Sequence, residues 1–225
     1  MMSFTDSYLF GIVLSIAAFA LGVFLNKKTK LPLFNPLLIA VTVIVLVLVL
    51  FGIPLDHFRK GAQFISVFLA PATASLAVSI YNQRKILGQY FAPVVIGCFA
   101  GSVASMVSAY LLCKAFGLED ALVATMLPKS VTTPIAMGIC EALGGIVPVT
   151  VAAVILTGIV GAMTAPLMVK LFRVKDPIAQ GVAIGTCSHA IGTTKAMEMG
   201  ELQGAMSSIA IGVAGLITVL LSLFL

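Results

Sequence analysis

The sequence predicts an all-α fold: a polytopic helical bundle embedded in a lipid bilayer, with about seven or eight hydrophobic segments. Composition is the first of three observations behind this. Of 225 residues, 60% are apolar and 9% charged, and the mean hydropathy is +1.17. A soluble domain averages roughly 45–50% apolar and about 25% charged. Thirteen basic and eight acidic residues cannot clothe a soluble globule of this size. The second observation is the recurrence of apolar runs near the ~20 residues a helix needs to cross a bilayer. The third is that the charges fall between those runs.

In chain order, residues 8–25 and 33–53 read as two smooth spans. The β-branched run "IAVTVIVLVLVLFGI" inside the second would suit a strand in water, but a lone strand in lipid leaves its backbone unsatisfied, so helix is expected. Residues 64–81 form a third segment, interrupted by Pro71. Residues 90–113 form a fourth, with Gly97 and Gly101 on a small-residue packing face. Residues 120–142 are broken by Pro128 and Pro134, 147–169 are smooth, 178–199 are loosened by Gly185 and Gly192, and 204–225 close the chain. Five segments are smooth and three broken, within one domain over residues 1–225. "LAPATASLAV" (69–78) and "MLPKSVTTPIA" (126–136) share a proline, a hydroxyl-rich run and an apolar tail. This is the pattern of an internal inverted repeat in transporters with discontinuous helices.

The net charge of +5 does not point to nucleic acid. The basic residues sit in short clusters, Lys27–Lys28–Lys30, Arg59–Lys60, Arg84–Lys85 and Lys170–Arg173–Lys175, of the kind that orient membrane proteins. Tyr8, Tyr81, Tyr90 and Tyr110 fall near segment ends, as an interfacial belt would. Cys98, Cys113, Cys140 and Cys187 show no CxxC spacing and read as small buried hydrophobes. The first ten residues lack a basic signal-peptide region, and the following run is long enough to stay as a span. Placing Lys27–Lys30 and Lys170–Lys175 on one side requires an even number of crossings, whereas five segments lie between them. Either one broken segment re-enters or one cluster defies the positive-inside tendency.

The broken segments carry the chemistry. Between Pro128 and Pro134 the backbone is expected to be unwound or kinked, with Ser130, Thr132 and Thr133 able to satisfy freed groups. Lys129 sits in that break, where a cation is costly unless it faces a wet interior or a partner. Beside hydroxyls and the N-terminus of the helix after Pro134, it makes a site for a small anion. The alternatives are a kinked helix with self-satisfying hydroxyls, or a lysine that snorkels to the interface. In "GTCSHAIGTTKAMEMGE" a continuous helix would put His189, Thr193 and Met197 on one face, while Lys195 and Glu198 would pair across a turn. His189 reads either as a proton-coupling group or as a satisfied core histidine, and Glu141 as a coupling site or an interfacial charge. No zinc pattern, nucleophile–base set, phosphate loop or cofactor motif is present, so an enzyme is not expected.

Through "MLPKSVTTPIAMGICEALGG" and "GTCSHAIGTTKAMEMGE" the chain resembles the LrgB/CidB family of YohK-like bacterial membrane proteins, over essentially its whole length. A related domain occurs in the plastidic glycolate/glycerate translocator. The resemblance implies a multi-pass protein of the bacterial plasma (inner) membrane, a small LrgA/CidA-type membrane protein partner, and one of two functions. One is a carrier of small monocarboxylates such as glycolate, glycerate or pyruvate. The other is a holin/antiholin-like regulator of murein hydrolase export and cell lysis. Lys129, Ser130, Thr132, Thr133, Ser188, His189, Thr193 and Thr194 occupy the motif positions. Two broken polar segments suit a carrier of a small organic anion better than a lesion-forming holin, so the carrier is the expected function. Homo-oligomerisation is expected as well.

Overall fold

The computed structural model describes residues 4–29, 34, 36–68, 71, 74, 78, 81–82 and 84–225. Among them are ten α-helices and no strand. Contacts divide the chain into two compact units, Met1–Ala72 and Thr73–Leu225. Pro71 is helical and exposed, but the break expected around it and the repeat element 69–78 lie largely outside the described residues.

The first unit contains α1 (Tyr8–Thr29), α2 (Pro36–Leu50) and α3 (Leu55–Ser66). Helix α1 is long and apolar enough to cross a membrane. Helix α2 differs from expectation: its 15 residues reach about 22 Å, short of a ~30 Å hydrocarbon core. Gly52, with φ of 60°, turns the chain after it. Helix α3 is amphipathic and falls outside every segment read from hydropathy except for its last residues. Gly11 and Gly61 let α1 and α3 approach backbone to backbone, and Lys60 pairs with Asp6 just ahead of α1.

The second unit contains α4 (Arg84–Gln89), α5 (Phe91–Ala115), α6 (Asp120–Met126), α7 (Thr133–Ala142), α8 (Val147–Leu171), α9 (Pro177–Met199) and α10 (Glu201–Ser222). Helices α5, α8 and α10 are long and apolar enough to cross a membrane. No other helix among the described residues of this unit is long and apolar enough to do so.

Helices α6 and α7 hold 7 and 10 residues, about 10 and 15 Å of helix. The chain leaving α7 returns to the last turn of α6. The Ile146 N–H donates to Thr125 Oγ1 at 2.8 Å, and Thr150 Oγ1 donates to the Thr125 carbonyl at 2.9 Å. The chain from Thr125 to Ile146 therefore leaves and returns to one place, as a re-entrant hairpin with its tip at residues 127–132. Pro128 lies in that tip, and Pro134 occupies the first turn of α7, where its missing N–H costs nothing.

Helix α9 folds back in the same way. Its backbone is non-helical at His189 (φ 41°, ψ −141°). Ile184 and Ala196 belong to one core cluster, although a straight helix would hold them about 18 Å apart. On α10, Gly181 lies against Gln203 and Met206, while Met197 lies against Gly204, so both arms start from the same end of that helix. This places the turn at His189 and corrects the expectation for Gly185 and Gly192, which are helical. A Cβ on Gly185 would stand 2.9 Å from Ala210 Cβ, and one on Gly192 would stand 3.2 Å from Ile184 Cγ2. Both glycines serve close packing, of one arm on α10 and of the arms on each other.

The two hairpins enter from opposite ends of the unit. The first hangs from the end of α5, where Lys114 pairs with Asp120 at 2.6 Å. The second hangs from the end of α8, where Asp176 caps the Ile178 N–H at 2.9 Å. These are equivalent places in an internal repeat. Helices α5 and α8 each have 25 residues, starting 56 apart (91 and 147) and ending 56 apart (115 and 171). The turns after them match bond for bond. Phe116, Gly117 and Leu118 donate N–H to Leu112, Lys114 and Cys113, as Phe172, Arg173 and Val174 donate to Met168, Lys170 and Val169. Gly117 and Arg173 both have positive φ, 67° and 54°. The repeat is thus 91–146 with 147–202, inverted in direction, and its sequence trace is "KAFGLED" against "KLFRVKD".

Two outcomes test this topology. Membrane-impermeant maleimide should label Lys85→Cys and Arg173→Cys from one side and Glu119→Cys from the other, in a background without native cysteines. All three labelled from one side would refute two crossings with a re-entrant segment between them. Gly161→Ala should cost about 1–3 kcal/mol by overpacking, because its Cβ would overlap Ser188 at the second tip. The loss is read as a lower melting temperature in detergent, and adding Ser188→Gly should recover part of it.

Candidate functional site

The tips of the two hairpins converge along α5. Thr186 packs on Gly101 and its hydroxyl reaches Cys98 Sγ at 3.4 Å, whereas one turn further on Ser105 meets the first tip. The two segments singled out from sequence thus come together in the interior of one unit.

At the first tip, Lys129 Nζ donates to Ser105 Oγ at 3.2 Å, and Ser105 and Ser130 share a hydroxyl–hydroxyl bond of 2.6 Å. All three side chains are half-buried. Lys129 has no carboxylate within ion-pair distance among the described residues. By contrast Lys60, Lys114 and Lys195 pair with Asp6, Asp120 and Glu198. Thr132 is buried at 6% exposure, and its Oγ1 alone among the described buried side-chain oxygens and nitrogens lacks a hydrogen-bond partner. It stands at the N-cap position of α7 without capping that helix, and Thr133 is the first residue of the helix proper. Donors therefore dominate: an ammonium, hydroxyls and the N-terminal amides of a half-helix, with no acidic side chain paired to the ammonium among the described residues.

At the second tip the polar side chains are buried, although Cys187 and Ala190 beside them are exposed, so Cys187 is not the buried hydrophobe expected from sequence. Ser188 and His189 are each 3% exposed. His189 Nε2–H donates to the Val154 carbonyl at 2.9 Å, and the ring rests on Gly158. Thr193 Oγ1 donates to the His189 carbonyl at 2.9 Å and is bonded to Ser207 Oγ at 2.7 Å. A positive φ is uncommon outside glycine, and this one is held by α8 on one side and α10 on the other.

The remaining candidates lie elsewhere. Thr194 is exposed, and its hydroxyl bonds back to the Ile191 carbonyl at 2.7 Å. Met197 is 59% exposed but packs on Gly204 of α10, the helix that binds Thr193 through Ser207, so these two share a face as the spacing predicts, while His189 stands at the fold itself. Lys195 and Glu198 pair at 2.8 Å as the spacing predicts. Glu141 is exposed at the outer end of α7, away from the tip. Ser105 and Gly161 were not singled out by sequence, since a serine or glycine in an apolar helix carries no signal until its partner is known. No group of three or more His, Cys, Asp or Glu comes together among the described residues.

Comparison with known proteins follows the same span of chain. The model of the LrgB-like family matches residues 15–225. "Antiholin-like protein LrgB" of Bacillus subtilis (strain 168) is 41% identical over 97% of this chain and 95% of its own length. The proteins of that name from Bacillus mycoides (strain KBAB4) and Bacillus cereus (strain B4264) are 39% and 38% identical, over the same shares. No solved structure matches the chain. With four helices fit to cross a membrane and the family match running through both hairpins, the chain is a helical membrane protein that belongs to the LrgB-like family.

Proposed function

We propose that the chain acts as an antiholin-like regulator in the bacterial plasma membrane, and that its activity there is the passage of a small monocarboxylate. The regulatory role rests on the relatives, which are named antiholin-like. Those names speak for this role rather than for the carrier that the broken segments suggest. The carrier activity rests on one observation: Lys129 is held by Ser105 where two opposed hairpin tips converge on α5, with no carboxylate at ion-pair distance among the described residues. A cation inside a membrane protein needs a partner or water, and a small carboxylate supplies the missing charge. Ser130 and Thr132 would bind its polar groups, and a pH gradient would couple through His189 or Glu141. A small LrgA/CidA-type membrane protein and further copies of the chain are the proposed partners.

A holin-type lesion and a carrier separate in proteoliposomes. Labelled pyruvate or glycolate should enter saturably without leakage of a trapped dye. Lys129→Ala should lower uptake about tenfold or more, the scale of a charged hydrogen bond, while Lys129→Arg should retain part of it. Dye leakage without saturable uptake would sink the carrier and leave a pore. In cells, loss of the chain should raise murein hydrolase release and lysis, and unchanged lysis would remove the regulatory role.

A further inference from the structure

We infer that Ser105 is the positioning residue that makes the first hairpin tip an anion site, and that the second tip has no counterpart to it. This deepens the carrier reading and rests on it. The 56-residue repeat makes Ser105 of α5 and Gly161 of α8 equivalent, since the two helices start and end in register. Each faces the tip of a hairpin. At Gly161 the bare backbone admits Ser188 so closely that a Cβ would stand 2.6 Å from Ser188 Cβ, and Ser188 is buried there. At Ser105 a hydroxyl fills the same place and bonds both Lys129, at 3.2 Å, and Ser130, at 2.6 Å. Lys129 and Ser130 bond that hydroxyl rather than close on the helix backbone, and both remain half-buried.

The donor count then favours a carboxylate. An ammonium has three N–H donors, and Ser105 Oγ accepts one. Two are left for the two oxygens of one carboxylate. With Ser105 donating to Ser130, the Ser130 proton is also free for the anion. Without Ser105 the long side chain of Lys129 regains its rotamer freedom, and that entropy must be lost again on binding. Removing Ser105 therefore weakens binding while leaving the charge, and hence the capacity for saturated transport, in place.

The test compares wild type, Ser105→Ala, Ser105→Thr and Lys129→Ala in two readouts. One is uptake of labelled pyruvate by proteoliposomes as a function of concentration. The other is the melting-temperature shift that pyruvate produces in detergent, which needs no transport. Ser105→Ala should raise KM about tenfold with maximal rate within about twofold of wild type, and should shrink the thermal shift at equal pyruvate. Ser105→Thr, which keeps the hydroxyl, should restore both. An unchanged KM and thermal shift in Ser105→Ala, with uptake lost in Lys129→Ala, would overturn the role of Ser105 and leave the carrier standing. A fall in maximal rate and in the melting temperature without pyruvate, at unchanged KM, would make Ser105 a packing residue and overturn it too. Wild type that binds pyruvate without transporting it would sink the carrier, and the Ser105 comparison would still be decided by the thermal shift. Wild type with neither uptake nor shift would overturn both.

Discussion

The second unit depends on one constraint: in hydrocarbon, backbone N–H and C=O groups must be satisfied by protein or trapped water. Two hairpins turn around inside the unit, and each turn frees groups that a helix would have bonded. They are tolerable only because three long helices enclose them. Around His189 the polar groups are satisfied by protein, with Val154 of α8 binding the imidazole and Ser207 of α10 binding the hydroxyl that secures the turn. Around Lys129 that satisfaction is partial. The same requirement, met fully at one tip and incompletely at the other, separates a structural turn from a site.

Much of this was legible because it follows from composition and from residues that forbid a helix. Lipid-scale apolar runs identify α1, α5, α8 and α10 within a few residues. Pro128 with Pro134 marks the first break, since neither proline donates an N–H and each restrains its predecessor. The second break lies within the segment that the sequence marks, but at His189 and not at its glycines. Glycine in a membrane helix is ambiguous, because it loosens a backbone and also admits a neighbouring helix. Gly185 and Gly192 do the second, while the turn falls on His189, whose own sequence signal is nil. Re-entry was legible only as one of two alternatives, from the odd number of segments between two basic clusters, since a run of some 20 apolar residues is long enough to cross whether it does or not. Only the bond from Ile146 back to Thr125 reveals that 120–142 returns.

The repeat shows why sequence comparison within the chain misleads. Lipid-facing positions exchange one apolar residue for another at little cost, so duplicated helices lose their resemblance. What survives is the turn, where Lys, Phe and Asp recur at 114, 116 and 120 and again at 170, 172 and 176. Those positions answer to local geometry: a left-handed residue closing the helix, and an aspartate opening the next element. A proline followed by hydroxyls, by contrast, arises by chance in any Ala- and Ser-rich helix.

Inverted duplication makes two equivalent cradles, but a single anion needs only one charged one. Both tips present a half-helix N-terminus toward the interior, so a duplicated unit with no further change would offer weak positive potential at two places. The chain breaks that symmetry with three residues of one repeat, Ser105, Lys129 and Ser130, set against Gly161, Gly185 and Thr186 at the equivalent positions of the other. In the second repeat the substitutions allow packing: Gly161 admits Ser188, Gly185 lies on α10, and the Thr186 hydroxyl bonds its own helix at 2.7 Å. In the first repeat the same positions hold groups that cannot all be satisfied by one another. That residual demand, an ammonium with one partner and a buried threonine oxygen with none, is the physical content of the proposed site.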